Sequence, residues 1–346
     1  MPKIMLTGDI NLMNSRPGET PFRPLQATLE AADFIASNLE CSLYTPPNGH
    51  AIEHEGFFVE PDLGASLLNA SGIDVFGVAN NVNYGEGAIL GSIDTLKKAG
   101  LSYAGAGRNL SEARAPAIIE KEGIRYGFLQ RSSVYWSTNH EAGVSGVGIA
   151  VIRAHTAYHV PMHRHDTRLP PFNRPGIPPL IVTWADQEYL DAFAADIAAL
   201  RSQVDVVIAS CHWGLSTEVL AYMPQIAKTA IDAGADVVMG HGPHKPLPIG
   251  FYKSKPIFYG LGSFSFHTGH LGMKHGDWIG VLPSLSIEAG RDPEVSFTFV
   301  RHDDNNETVP ASIAEEREPL DWLTKQSVAH GASLSVEGDR VVVKPV

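Results

Sequence analysis

The sequence predicts an α/β fold on three observations. Short apolar runs alternate with amphipathic helical stretches along most of the chain. Several of those runs close on a carboxylate, amide or imidazole beside glycine, as buried strands do when their ends carry polar groups: Leu6-Thr-Gly-Asp9, Asn38-Leu-Glu40, Val78-Ala-Asn-Asn81, Ser210-Cys-His212-Trp-Gly214 and Val238-Met-Gly-His241-Gly-Pro-His244. The composition, 44% hydrophobic and 18% charged over 346 residues, is that of a chain with a sizeable core.

Taken in order, Lys3 to Thr7 reads as a strand with Gly8-Asp9 at its end, and Ala31 to Ser37 as a second leading to Glu40. Pro61 to Ala70 predicts a helix with Leu63, Leu67 and Leu68 on one face. Ile73 to Ala79 is a strand. Gly87 to Ala99 is an amphipathic helix through Ile89, Leu90, Ile93 and Leu96, stopped by Gly100. Ile118-Ile119 and Arg125 to Gln130 flank Glu122-Gly123 and suit a hairpin. Residues 136–180 break the pattern with His140, His155, His159, His163, His165 and a proline-rich run from Pro161 to Pro179, which predicts a long loop or insertion over the site. Helices over Glu188 to Ser202 and Pro224 to Ala233 precede the two histidine-bearing strands. Lys255 to Phe266, Gly280 to Ile287 and Val295 to Val300 read as strands, and Leu334 to Val343 as a hairpin. The organisation expected is one domain over 1–300 carrying the insertion, with 301–346 as a C-terminal extension packed on it.

Charge and composition exclude several functions. A net charge of -12 argues against a nucleic-acid partner. No apolar run approaches the roughly 18 residues of a membrane span, so no membrane partner is expected. The first residues run into a strand without a signal-peptide stretch, and Cys41 and Cys211 make no disulfide framework, so the expected compartment is the cytoplasm.

The chemistry rests on the strand ends. Asp9, Glu40, Asn81, His212, His241 and His244 supply two carboxylates, one amide oxygen and three imidazoles, a donor set that suits two divalent ions such as Mn, Zn or Fe. Singly, each has a plainer reading: Asp9 as a turn or cap, Glu40 as a surface charge, Asn81 as a turn. All six at strand ends favour metal. Two ions a few ångströms apart can share a hydroxide and clamp a substrate's oxygens.

The same blocks resemble the CapA family of poly-γ-glutamate synthesis type, a branch of the calcineurin-like metallophosphoesterase superfamily. The resemblance runs over about residues 1–270 outside 136–180. It is carried by Thr-Gly-Asp9, Asn38-Leu-Glu40, Val78-Ala-Asn-Asn81, Ala99 to Gly107, His212-Trp-Gly214, Gly240-His-Gly-Pro-His244 and Ile257 to Phe264. It implies a four-layer α/β/β/α sandwich with a two-metal centre: Asp9 and His244 on one ion, Asn81, His212 and His241 on the other, Glu40 bridging. The catalytic set would be Asp9, Glu40, Asn81 and His212. Three departures bear on chemistry. Val82 stands where the family has a histidine thought to protonate the leaving group, with Gly85 in place of an aspartate, and Ser263 replaces the asparagine of the Gly-Asn-Phe block.

General acid help is typically worth 10²–10⁴-fold, so its loss turns the expectation from phosphoesters to a small ester, lactone or amide. The alternatives are a phosphoesterase with a substitute acid from the insertion (His155, His159 or His163), a non-catalytic capsule or poly-γ-glutamate accessory protein that keeps its metals, and a metal-storage module built on the histidine-rich segment. The partner expected is a small molecule, anionic if Arg108, Arg131 or Arg153 grips a carboxylate. His155, His159 and Trp213 complete the candidate substrate contacts, each with a structural alternative of surface or core.

Overall fold

The computed structural model describes residues 2–46, 56–137, 140–160, 176, 178–269, 273–288 and 291–346. The fold is α/β. Lys3–Asn11 lies at the centre of a ten-stranded sheet, parallel to Phe34–Leu39 on one side and antiparallel to Gly280–Ser286 on the other; Val75–Gly77 and Ser102–Ala104 continue the parallel half. A second, six-stranded sheet sets Ile124–Ser132, Val206–His212, Val237–His241 and Lys255–Phe258 side by side and parallel.

Alternation along each strand decides what packs where. Ile4, Leu6, Phe34, Ala36 and Val75 of the first sheet share one buried core with Tyr126, Phe128, Val206, Ile208 and Met239 of the second. Within it the rings of Phe34 and Tyr126 stack at 4.3 Å. The alternate residues face helices. Met5, Ile35 and Phe76 pack with Leu67 and Leu68 of Pro61–Ala70 and with Ile89, Ile93 and Leu96 of Glu86–Lys98. Leu129, Val207, Ala209 and Val238 pack with Gln187–Arg201 and Tyr222–Asp232. Strands buried on both faces need the continuous apolar runs seen in the sequence.

Pro61–Ala70 has the expected bounds, capped by Glu60, whose carboxylate accepts from the amides of Asp62 and Leu63. The Glu122-Gly123 turn joins Ala117–Lys121 to Ile124–Ser132, both turn residues at positive φ (53° and 78°) as a type I′ hairpin requires. One expectation is corrected. Lys255 to Phe266 is two strands: Lys255–Phe258 belongs to the six-stranded sheet, while Ser263–Phe266 pairs with Lys3–Asn11 in the other. Gly262, at φ 73°, turns the chain between sheets where a Cβ would come within 2.4 Å of the Ile279 carbonyl. The segment after 301 extends the ten-stranded sheet itself: Thr308–Ala311 and the hairpin Ala332–Glu337/Arg340–Pro345 pair onto Glu294–His302.

Of the segment expected as a long loop or insertion, Gly148–Ile149 pairs with Ala106–Gly107, and Ala154–His159 forms an antiparallel ribbon with Leu180–Ala185. His163, His165 and most of the proline run lie outside the described residues. Among the described residues no helix is long and apolar enough to cross a membrane.

Candidate metal centre

The two sheets bring their strand ends to one place. His212 and His241 sit in register on neighbouring parallel strands, and Gly240 before His241 leaves no room for a side chain, since a Cβ would meet the Tyr259 carbonyl at 2.4 Å. The chain then turns through Gly242 at φ 114° and delivers His244, itself at φ 54°. A non-glycine residue held there is strained, as residues at functional sites often are. From the other sheet comes Asp9, on the first strand, where the register shifts against both neighbours. Such bulges re-aim a side chain. Gly8 presses on Gly262, whose carbonyl accepts the Asp9 amide at 2.9 Å.

Asp9 stands between the two histidines. Its Oδ1 is 3.0 Å from Nδ1 of His241 and its Oδ2 is 3.0 Å from Nδ1 of His244. Nε2 of His244 is 3.4 Å from Oε1 of Glu40. Asp9, Glu40 and His244 each offer a ligand atom within 4.8 Å of the others. Asn81 and His212 meet separately, Oδ1 to Nε2 at 2.8 Å. All six predicted ligands are thus gathered at the junction of the sheets, with Asp9 rather than Glu40 in contact with both histidines.

The donor set fits a cation. Asp9 Oδ2, His212 Nδ1, both ring nitrogens of His241 and Nδ1 of His244 are buried with no hydrogen-bond partner among the described residues. The 3.0 Å approaches to Asp9 therefore lack hydrogen-bond geometry. Buried polar atoms are almost always paired, so an orphaned group of carboxylate and imidazole donors converging on one place suits a bound ion. Burial raises the Asp9 carboxyl, but the facing imidazoles of His241 and His244 outweigh it and hold it well below the usual carboxylate range. Glu40 goes the other way: burial first, then the Asp9 charge, push it well above that range. Burial lowers His212 to about 3, so its imidazole is neutral, the form that ligates metal.

Behind these side chains lies a buried amide network that no sequence pattern announces. Asn38 donates to Asp9 Oδ1 at 2.8 Å, and its own oxygen accepts from Gln130 at 2.9 Å and Asn80 at 3.2 Å. Gln130 also accepts the Ala79 amide at 2.6 Å and donates to Ser210 at 3.2 Å, tying the sheets together behind the site. Its one sequence signal is a glutamine inside an apolar strand. Val82 is fully buried in the helix-side core and brings no polar group.

The expected substrate contacts fare differently. Arg131 is buried and ion-paired with Asp196, which Arg114 also binds at 2.7 Å, so its guanidinium is committed to structure. Trp213 is fully buried in the helix-side core, its indole donating to the Tyr259 carbonyl at 2.8 Å. Arg108 and Arg153 are part-exposed but paired, with Asp94 at 2.6 Å and Glu141 at 2.7 Å. His155 contacts Asp186 at 3.3 Å on the ribbon, and His159 is exposed there. The aromatic groups that do border the cluster are others: Trp136 donates to the Asn81 carbonyl at 2.9 Å, and the His275 ring lies edge-on to His244 at 5.7 Å.

Fold and site together define an α/β protein with a candidate metal centre where two sheets meet. The chain belongs to the family described as bacterial capsule synthesis protein PGA_cap, whose model matches residues 3–268. It is 27% identical over 252 residues to the PGA biosynthesis protein CapA of Bacillus subtilis (strain 168), covering 72% of this chain and 57% of that protein. A "Probable polyglutamine synthesis accessory protein" of Mycobacterium tuberculosis (strain H37Rv) is 30% identical over 249 residues, 70% of this chain and 58% of that protein. The capsule biosynthesis protein CapA of Bacillus anthracis is 24% identical over 254 residues, 72% and 54%. The matches thus span little more than half the length of these relatives.

Proposed function

We propose that this chain is a metal-dependent hydrolase with the four-layer α/β/β/α arrangement of the metallophosphoesterases, acting on a small ester, lactone or amide. The observation that carries the reading is Asp9 held between His241 and His244, among buried donor atoms that lack partners. Asp9, Glu40 and His244 would hold one ion of a two-ion centre and Asn81 and His212 the other, with His241 between Asp9 and His212. Mn, Zn or Fe suit this mixture of oxygen and imidazole donors. Ions held there would supply Lewis-acid polarisation of a carbonyl or phosphoryl oxygen and activation of water.

The chain's own residues do the rest. Asn38 fixes the Asp9 carboxylate, and the amides of Gln130 and Asn80 fix Asn38, an outer layer that orients ligands and tunes affinity. Trp136 holds the Asn81 backbone. Val82 offers no proton to a departing alkoxide, which favours substrates whose leaving group needs less help. The relatives named for capsule or polyglutamine synthesis make a γ-glutamyl amide one class to include in any screen.

The test is metal content of the purified protein alongside a hydrolysis panel of aryl esters, lactones, γ-glutamyl amides and phosphoesters, with and without chelator. About two ions per chain and chelator-sensitive cleavage of an ester, lactone or amide are expected. Phosphoester turnover alone would overturn the assignment of the bond cleaved. Metal without any activity would favour an accessory role.

A further inference from the structure

Next to the metal ligands lies a cavity of about 580 Å³, within the range of small-molecule sites. His244 and His275 line it together with Trp278, Pro319, Trp322 and Leu323. Thr217 and Pro243 to Pro246 line it from within the family match, and the rest of its lining, from His275 to Leu323, comes from beyond residue 268 where that match ends. The wall is built, not incidental. Trp278 is buried, its ring against His302 at 5.3 Å, and its carbonyl accepts from Arg301 at 3.5 Å. Arg301 also pairs with Glu316 through Nη2 at 2.7 Å. Glu316 opens the helix Arg317–Ser327, which carries Trp322. One guanidinium therefore ties both tryptophan-bearing segments together, the kind of support that makes a binding wall rigid.

We propose that this cavity holds an apolar aryl or alkyl substituent of the substrate while the hydrolysable bond sits at His244 and the other ligands; the proposal rests on the hydrolase reading above. Continuity argues for it, since His244 belongs both to the ligand cluster and to the cavity wall. Charge argues for a neutral arm over a polyanionic γ-glutamyl one. Asp277 and Glu318 are both exposed among the lining residues, with Lys245 the one cation among them. Two tryptophans offer faces and edges for an aromatic or alkyl group.

The test compares three hydroxamates that share a metal-binding head: acetohydroxamate, 4-phenylbutanehydroxamate with an apolar arm, and glutaric monohydroxamate with a carboxylate arm. Each is titrated by calorimetry and by tryptophan fluorescence into Mn-loaded protein, Trp322→Ala and Glu318→Lys. The phenyl arm should tighten binding by roughly tenfold or more over the bare head, with a change in tryptophan emission. Trp322→Ala should remove that gain and leave acetohydroxamate unchanged. Glu318→Lys, at an exposed position that leaves the core alone, should raise affinity for the carboxylate arm. Equal affinity of all three probes, or a phenyl gain that survives Trp322→Ala, would overturn the cavity assignment and leave the metal reading standing. Failure of acetohydroxamate itself to bind would overturn both.

Discussion

Nε2 of His212 stands 2.8 Å from Oδ1 of Asn81, and the contact joins the two sheets across the site. His212 ends a strand of the six-stranded sheet, and Asn81 follows Val75–Gly77 of the ten-stranded one. The pair is a neutral imidazole facing an amide oxygen, which is a ligand pair as readily as a hydrogen bond. Asn81→Ala should therefore lower bound metal below the wild-type stoichiometry while leaving the far-ultraviolet circular dichroism unchanged. Undiminished metal in that variant would remove Asn81 from the centre.

Asn38 is the residue on which the geometry of the cluster turns. Asn38→Ala takes a donor from Asp9 and removes one of the two acceptors of each of the buried Gln130 and Asn80 amides, which keep Ser210 and the Leu39 carbonyl. An unsatisfied buried polar group costs about 1–3 kcal/mol, and loss of outer-layer support about 10–100-fold in metal affinity. Both effects are expected, read by chemical denaturation and by metal titration. A variant as stable as wild type would contradict the network.

The close approach of Gly8 to Gly262 leads to a third expectation. A Cβ at Gly8 would lie 2.2 Å from the Gly262 carbonyl oxygen, which is backbone and has little room to yield. Gly8→Ala should cost about 1–3 kcal/mol of overpacking and shift Asp9 next to it. Lower thermal stability together with weaker metal binding is the expected result; a neutral substitution would show that this packing does not set the position of Asp9.

His140 makes stability depend on pH. Its Nδ1 accepts the Trp136 amide at 2.8 Å and its Nε2 lies 3.0 Å from the Asn83 carbonyl, which requires the neutral ring protonated at Nε2. Burial accordingly lowers it to about 4 from 6.5. Between those values the unfolded chain binds the proton that the folded chain refuses. The contribution is thus fully present above about pH 6.5 and lost as pH falls toward 4, on the order of 3 kcal/mol in all. His140→Gln should flatten that part of the stability–pH curve, measured by denaturant unfolding from pH 4 to 8. An unchanged slope would contradict the assignment.

Much of this was legible because a strand buried on both faces writes a continuous apolar run, and a polar residue closing such a run has few reasons to be there. Asp9, Glu40, Asn81, His212, His241 and His244 all announced themselves in that way, and all come together. Lys255 to Phe266 reads as one strand because both halves carry the same apolar pattern; only the backbone of Gly262 reveals the change of sheet. Gln130 was missed because a polar side chain within an apolar strand gives no hint of its partners, which lie 80 and 92 residues away. Arg131 illustrates the opposite case, an arginine expected to grip a substrate carboxylate whose charge is spent on Asp196. The cavity walls at Trp278 and Trp322 depend on long-range packing of the C-terminal segment, which no local pattern announces.

The most direct test of the account is a crystal structure with Mn, read by anomalous scattering. Two peaks roughly 3.5–4 Å apart are expected, one among Asp9, Glu40 and His244 and one beside Asn81 and His212, with Asp9 and His241 between. No peak at this junction, or manganese found only on the histidines of the 155–165 segment, would contradict it.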